Sequence, residues 1–559
     1  PADTQMHPRA ELNSVQEAFR QLPGVSVIVY VQTCAAEKRR RRKRGAFPDP
    51  NQRLYINPDV CEGCGDCGVQ SNCVSLLPLE TPLGRKRQID QSSCNKDFSC
   101  VNGFCPSFAT VRGGQLRRPA AQELSIPDLP APPACTLHGT HNVVVTGVGG
   151  TGVVTIGALL AMAAHLDGKA AGVMEMAGLA QKGGAVHIHC RIGETPEDIS
   201  AIRVALGECD ALIGGDLVVS AQGSTLGLMA PTGGAVVNRH EIITGEFTRD
   251  TGFAIPGADL HLALTAKLHE CARLFNATRL AEMALGDTVY ANMILLGAAY
   301  QQGLLPLTQE ALLEAIALNG AKVDQNQQAF ALGRWAMVDA DLDKTFAQAE
   351  APVQDPEAAR LAGLRAYGSG RLPRYEAMRR KLAGVEADLL ETALRSYHKL
   401  LCYKDEYEVA RLLVATKTQV AERFEGDYEI AYHLAPPLLA HKGPDGRPQK
   451  RSFGAWFDPV SRGLARLKFL RETPFDPFGY SAERRMERQL IKDFEILVAR
   501  MLRDYEPAQL DIWRELLGLP QNIRGFGPVK LANAQSMQRR RTELLDKLTA
   551  GRDTERSAA

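Results

Sequence analysis

The sequence predicts an α/β plus all-α protein of several domains: a cysteine-rich insert, a Rossmann-like α/β domain and a helical C-terminal domain. Three observations predict it. Seven of the thirteen cysteines (Cys61, Cys64, Cys67, Cys73, Cys94, Cys100 and Cys105) fall within 45 residues. From Asn142 to about residue 335, short apolar runs of strand length (NVVVTG, AVHIHCRI, DALIGGDLVV) alternate with helix-length segments, the mark of an α/β sheet. From about residue 370 to the end, Leu/Ala stripes run among alternating charges, the pattern of long amphipathic helices.

The chain has 559 residues, 45% of them hydrophobic, with 65 Lys+Arg against 64 Asp+Glu. At roughly 150 residues per domain this is too long for one core and suits three or four. A charge balance so close to zero gives no general reason to expect nucleic acid or an anionic membrane as partner. No export signal opens the chain, so the expected location is cytoplasmic. A chain that opens on Pro1 instead of Met reads as processed, or as part of a longer protein.

Taken in order, Val25 to Gln32 (VSVIVYVQ) is a β-branched run of strand length after a Pro-Gly turn signal, and predicts a buried strand. Seven consecutive basic residues follow, Lys38 to Arg44. Five prolines between Pro119 and Pro133 predict an extended linker and a domain boundary near residue 135. Gly286 to Arg334 reads as helical, with Ala311 to Leu318 carrying apolar residues at helical spacing. Pro436 to Phe457, rich in proline, glycine and aromatics, predicts an irregular insertion within the helical domain.

Cys61-x-x-Cys64-x-x-Cys67 places three thiols within seven residues, a spacing that lets one short loop wrap an iron–sulfur cube and give each of three irons a ligand. Structural zinc favours two separated pairs instead. Cys105 precedes Pro106, as does the ferredoxin cysteine that completes a cluster from a distance. Cys61, Cys64, Cys67 and Cys105 are therefore the expected ligands of a 4Fe–4S cluster, and the region reads as a ferredoxin-like iron–sulfur insert. Cys73, Cys94 and Cys100 stand where a second cluster's ligands would stand. Their spacing departs from the repeated motif and a fourth cysteine is missing, so one cluster or two stays open, with Cys135 as a weak candidate for the fourth ligand.

Gly147, Gly149 and Gly152 form G-x-G-x-x-G between a strand and a helix, the geometry of a dinucleotide-binding turn, and Glu175 lies near where that fingerprint asks for an acid. The competing reading is that the glycines let strand and helix pack closely. His187 and His189 share one face of the strand that follows. Without an acidic or histidine cluster nearby they read as hydrogen-bonded structural histidines before metal ligands.

CEGCGDCGVQSNC, GRKRQIDQSSCNKDFSCVNGFCPSF, GVGGTGVVTIG, EMAGLAQKGGAVHIHCRIG and YHKLLCYKDEYEVARL together resemble the fused bacterial indolepyruvate ferredoxin oxidoreductases, of the 2-oxoacid:ferredoxin oxidoreductase family. The resemblance covers nearly the whole chain and identifies the Rossmann-like part as the family's γ-type domain. It implies oxidative decarboxylation of an aryl pyruvate on thiamine diphosphate with magnesium, coenzyme A as cosubstrate, and electrons leaving through 4Fe–4S to ferredoxin. The family's GDG thiamine motif is absent from this sequence, and Val25 to Arg44 resembles the last strand and tail of the thiamine-binding domain. The resemblance thus makes this the C-terminal half of a fused enzyme, with the catalytic residues in an upstream half and a homo-oligomer expected. Lys38 to Arg44 then reads as a solvated linker or a docking patch for acidic ferredoxin, ahead of nucleic acid. Gln181 to Gly184 reads as a turn against the thiamine domain, ahead of a contact to coenzyme A or substrate.

The expected layout is a thiamine-domain tail over 1–50, the iron–sulfur region over 51–117, a Pro-rich linker over 118–138, the γ-type domain over 139–335 and the helical domain over 336–559. Two other functions compete: a stand-alone iron–sulfur electron carrier, and a NAD- or FAD-dependent iron–sulfur dehydrogenase.

Overall fold

A computed structural model describes residues 4–117, 125–177, 184–242, 247, 250, 252–342, 355–368, 370–436 and 447–558. Its internal contacts divide the chain into two units, Pro1–Pro50 and Asn51–Ala559.

In the first unit, Val25–Gln32 forms no strand, and Val25, Val27, Val29 and Val31 are 97, 74, 77 and 90% exposed, which corrects the expected buried strand. β-Branched residues favour an extended chain, but a lone strand gains no ladder and buries nothing. The basic run, expected to be a solvated linker or a docking patch, is helical. It forms most of the helix Ala35–Lys43, where the carboxylate of Glu37 pairs with Arg40 (3.1 Å) and Arg41 (3.0 Å) one turn on.

In the second unit, the strands that frame the cysteines, Gln52–Ile56 and Phe108–Arg112, pair antiparallel with each other. Phe108–Arg112 then pairs with Glu429–Leu434, and that strand with Arg451–Phe453, so the insert shares one four-stranded sheet with the C-terminal part. The C-terminal region is therefore not all helical. Pro436–Phe457, expected to be irregular, contributes a strand, although residues 437–446 lie outside the described residues. Val111, Ile430, Tyr432 and Phe453 pack into one core and hold the two chain segments together.

The α/β part is a six-stranded mixed sheet ordered Ala272–Phe275, Met229–Asn238, Cys209–Gly214, His141–Val148, Ala185–Gly193, Ala170–Ala177. The first four strands run parallel, and Ala185–Gly193 is antiparallel to both of its neighbours. Val143, Val145, Ile188, Ile213 and Val236, from the middle of the sheet, pack with Ile156 and Leu160 of the helix Val153–Leu166. Pro127 to Pro133 has neither helix nor strand, yet it is tied down: the carbonyl of Pro130 accepts from Gln301 Nε2 (2.9 Å) and from Arg334 (3.2 Å). Pro119 lies outside the described residues.

Beyond residue 355, Ala387–Leu401 and Ala482–Asp504 bury Leu389, Tyr397, Ile491, Phe494 and Val498 with Trp513 of a following helix, as their amphipathic pattern requires. Among the described residues no helix is long and apolar enough to cross a membrane.

Candidate metal centre

The segment from Cys61 to Cys67 leaves the strand Gln52–Ile56, turns, and enters the short helix Asp66–Ser71. Gly103 lets the Cys105 segment come against it, for a Cβ on Gly103 would lie 2.7 Å from Cys67 Cα. The carboxylate of Asp66 fixes that approach by accepting from the backbone N–H of Phe104 at 2.6 Å. The result is a small cavity lined by Cys61, Cys64, Cys67 and Cys105 together with Arg87 and Phe108.

The thiols sense one another. Burial pushes Cys64, Cys67 and Cys105 above the ordinary thiol range, and each is raised further by neighbouring cysteines of the set. Four such sulfurs can ionise together only against positive charge placed among them. Buried Arg87, stacked 3.7 Å over the ring of Phe247, supplies some of that charge, and so does Lys450 beside Cys105. The Gly63 N–H donates to Cys61 Sγ at 3.3 Å, and Cys105 Sγ lies 2.9 Å from Ser107 Oγ, contacts that stabilise thiolate.

Cys73, Cys94 and Cys100 form a neighbouring group. Cys100 is buried and pushed up first by burial and then by Cys73 and Cys94, and Lys96 donates its N–H to Cys94 Sγ at 3.4 Å. Cys135 does not join them: its electrostatic neighbours are Asp210 and Lys169, beside the mixed sheet. Among the described residues no three His, Cys, Asp or Glu side chains converge on one ion. A single tetrahedral metal asks its donors to converge at roughly 2.3 Å. A cluster instead gives each thiolate its own iron, so a donor set spread around a cavity suits it.

Lys404 and Lys450, absent from the sequence reading, secure the two cysteine segments. Lys404 donates to the carbonyls of Val60 (3.1 Å) and Cys61 (3.3 Å) and pairs with Glu62 at 2.7 Å, while Lys450 donates to the carbonyls of Gly103 and Cys105. Burial opposes the charge of Glu62, but Lys404 and the surrounding lysines overcome it and hold the carboxyl below its usual range.

The glycine turn follows the central strand as expected, with left-handed backbone at Gly150 (φ 100°) and Gly152 (φ 82°), whereas Gly149 is held by its N–H donating to Gly184 O at 2.9 Å. Glu175 departs from the fingerprint. Its strand is the sheet edge, separated from His141–Val148 by the antiparallel Ala185–Gly193, whereas the dinucleotide fold sets the acid on the adjacent strand. His187 Nε2 meets Thr225 Oγ1 at 3.1 Å, and His189 Nδ1 accepts from the Val204 N–H at 3.0 Å, the structural roles expected of them. Gln181, Lys182 and Gly183 lie outside the described residues.

The family model described as Pyruvate ferredoxin/flavodoxin oxidoreductase matches residues 142–336, which span the mixed sheet and its helices. Indolepyruvate oxidoreductase subunit IorB of Pyrococcus horikoshii is 30% identical over 206 residues, covering 34% of this chain and 94% of the relative. The chain belongs to the 2-oxoacid:ferredoxin oxidoreductase family, on its indolepyruvate oxidoreductase branch. The IorB subunit of Archaeoglobus fulgidus is 29% identical to this oxidoreductase chain over 199 residues, covering 34% of the chain and 92% of the subunit. A second family model, described as a family of unknown function (DUF6537), matches residues 361–543 of the oxidoreductase. Among solved structures, the γ subunit of keto/oxoacid ferredoxin oxidoreductase from Geobacter sulfurreducens shares 22% identity over 35% of this chain and 98% of its own, with a TM-score of 0.25. Pyruvate oxidoreductase subunit PORC from Thermotoga maritima shares 19% over 35% of this chain and 96% of its own, with a TM-score of 0.26.

Proposed function

We propose that this chain is the electron-transfer and scaffold portion of an indolepyruvate (aryl pyruvate) ferredoxin oxidoreductase, the C-terminal half of a fused enzyme. The observation that carries this reading is the meeting of Cys61, Cys64, Cys67 and Cys105 around one cavity, in a chain whose family is that of ferredoxin oxidoreductases. Those four hold a 4Fe–4S cluster; whether the chain carries one cluster or two stays open, and Cys73, Cys94 and Cys100 are the candidate ligands of a second. When bound, a cluster supplies a one-electron carrier between the 2-oxo acid chemistry and ferredoxin.

The chain's own residues do the rest. Arg87 and Lys450 set positive charge beside the sulfurs, the Gly63 N–H fixes Cys61 Sγ, Asp66 ties the Cys61–Cys67 segment to the Cys105 segment, and Lys404 holds the Val60 and Cys61 carbonyls in place. Thiamine diphosphate, magnesium and the decarboxylation of the 2-oxo acid in the presence of coenzyme A belong to an upstream partner domain, ferredoxin is the acceptor, and the enzyme works as a cytoplasmic homo-oligomer. The exposed valines of Val25–Val31 support this assembly, because an alternating β-branched segment is completed by pairing with a sheet edge.

Viologen reduction coupled to 2-oxo acid decarboxylation tests the assignment. With thiamine diphosphate and coenzyme A the chain alone should give no turnover with indolepyruvate, and addition of the thiamine-binding half should restore it. Turnover by the chain alone would show that the thiamine site is misplaced.

A further inference from the structure

A cleft of about 470 Å³ opens between the cysteine-rich insert and the helical domain, walled by residues 58–62 and 81–86 on one side and by segments of 359–412 and 487–530 on the other. Its volume falls in the range of roughly 300–1,000 Å³ typical of small-molecule sites. Among the described residues, nine Lys and Arg side chains and four carboxylates line it. Each carboxylate is already engaged: Glu62 with Lys404 (2.7 Å), Glu408 with Arg411 (2.6 Å), Glu487 with Lys530, and Asp59 with Gln419 Nε2 (2.7 Å). Arg360 and Arg85 turn to Glu391 and Glu80, at 2.6 and 2.5 Å.

Four cations remain. Among the described residues, Lys86, Arg395, Lys399 and Arg524 pair with no carboxylate, and all four face this cleft. Lys399 Nζ and Arg524 Nε both donate to the Gln521 carbonyl at 2.8 Å, so their heads converge on one oxygen. A Cβ on Gly84 would lie 3.5 Å from the guanidinium of Arg395, and one on Gly63 3.7 Å from that of Arg524, so the glycine backbone of the insert lines the same wall. His398 adds a buried Nε2 with no hydrogen-bond partner among the described residues, 3.2 Å from where a Cβ on Gly363 would stand. Burial above all holds Lys86, at about 8, and Lys399 below the ordinary lysine range, with repulsion from neighbouring cations adding to it and the attraction of Glu62 opposing it. The nearby carboxylate of Glu62, already paired with Lys404, offsets only part of this charge, so the group keeps an excess of positive charge that is costly to fold, and an anion with several charges would relieve that cost.

We propose that this cleft binds a small molecule carrying a diphosphate or comparable polyphosphate, with Lys86, Arg395, Lys399 and Arg524 as its anion ligands and the His398 Nε2 as a further hydrogen-bonding group. The site goes beyond the electron-transfer role and does not depend on which metal the cysteines hold. Cations with no ion-pair partner among the described residues, gathered in a concave site, favour a multiply charged ligand over chloride, and guanidinium forks match phosphate oxygens in pairs. Such chemistry occurs in free diphosphates, in nucleotides and in the diphosphate arm of coenzyme A.

Calorimetric titration of the anaerobically purified chain with inorganic pyrophosphate, ADP and coenzyme A tests the proposal, with iron measured on the same sample so that the metal assignment is judged separately. Saturable binding of at least one ligand is expected, together with a rise in melting temperature. Arg395 is exposed and has no hydrogen-bond or ion-pair partner among the described residues, so Arg395→Glu should leave the free protein's melting temperature unchanged while weakening binding at least tenfold. Lys86→Gln should weaken it severalfold. Equal affinity for all three ligands would assign recognition to the phosphates alone, and coenzyme A binding tenfold tighter than ADP would assign it to the cosubstrate. No binding of any of them at millimolar concentration, or binding untouched by Arg395→Glu, would overturn the proposal.

Discussion

The ammonium of Lys404 meets the carboxylate of Glu62 at 2.7 Å, and both side chains are 13% exposed. One ion pair thus ties the loop between the first two clustered cysteines to a residue that follows the helix Ala387–Leu401. Because the same ammonium also holds the carbonyls of Val60 and Cys61, it fixes where Cys61 sits.

Removing Lys404 takes the ion-pair partner from a mostly buried carboxylate. Lys404→Met should destabilise the chain by about 3 kcal/mol, the usual cost of breaking a buried pair. Adding Glu62→Gln should recover much of that loss. Thermal melts of the two single variants and the double variant measure the coupling, and additive losses would show that the pair is not a unit.

His189 makes a pH prediction. Burial, followed by His187 and Arg203, lowers its folded value to about 4, and Nδ1 is committed to accepting from Val204. The unfolded chain therefore takes up this proton first, near its ordinary value of about 6.5. Stability from this site is complete above about pH 6.5 and is lost as pH falls toward 4. Between pH 7 and 5.5 the loss should be about 1 kcal/mol. In His189→Gln protein that part of the acid sensitivity should vanish, as melts at the two pH values would show. An unchanged slope would mean that His189 is not titrating.

At the glycine turn, Gly152 has left-handed backbone, and a Cβ there would lie 2.4 Å from Asn292 Nδ2. Gly152→Val should cost about 2 kcal/mol or more in melting experiments. Calorimetry with NAD, NADP and FAD should give no binding, since the strand bearing Glu175 is not adjacent to the turn. Tight dinucleotide binding, lost in a Gly152 variant of unchanged stability, would revive the dehydrogenase reading.

The gathering of Cys61, Cys64, Cys67 and Cys105 around one cavity was legible because the pattern is local: three thiols in seven residues, then Cys105 before Pro106. Its supports were not. Lys404 reaches the Val60 carbonyl across 344 positions, and nothing in the intervening sequence marks that contact. The strand Glu429–Leu434 sits among helical patterns, and its partner Phe108–Arg112 lies more than 300 residues earlier, so the shared sheet was invisible to local periodicity. Val25–Gln32 failed in the opposite sense. Its β-branched composition speaks for a strand, but strand preference is a property of packing, and none of its valines is covered. Glu175 was correctly placed along the chain and wrongly placed in space, because an antiparallel strand lies between it and the glycine turn.

The central claim is that Cys61, Cys64, Cys67 and Cys105 hold iron and sulfide. Iron, zinc and acid-labile sulfide per chain, measured on anaerobically purified protein, test it most directly. One cluster predicts about four iron atoms and two clusters about seven to eight. Cys64→Ala should abolish the first cluster's visible absorbance, and Cys73→Ala should leave it largely intact. Stoichiometric zinc without iron, or equal loss of absorbance in both variants, would contradict the account.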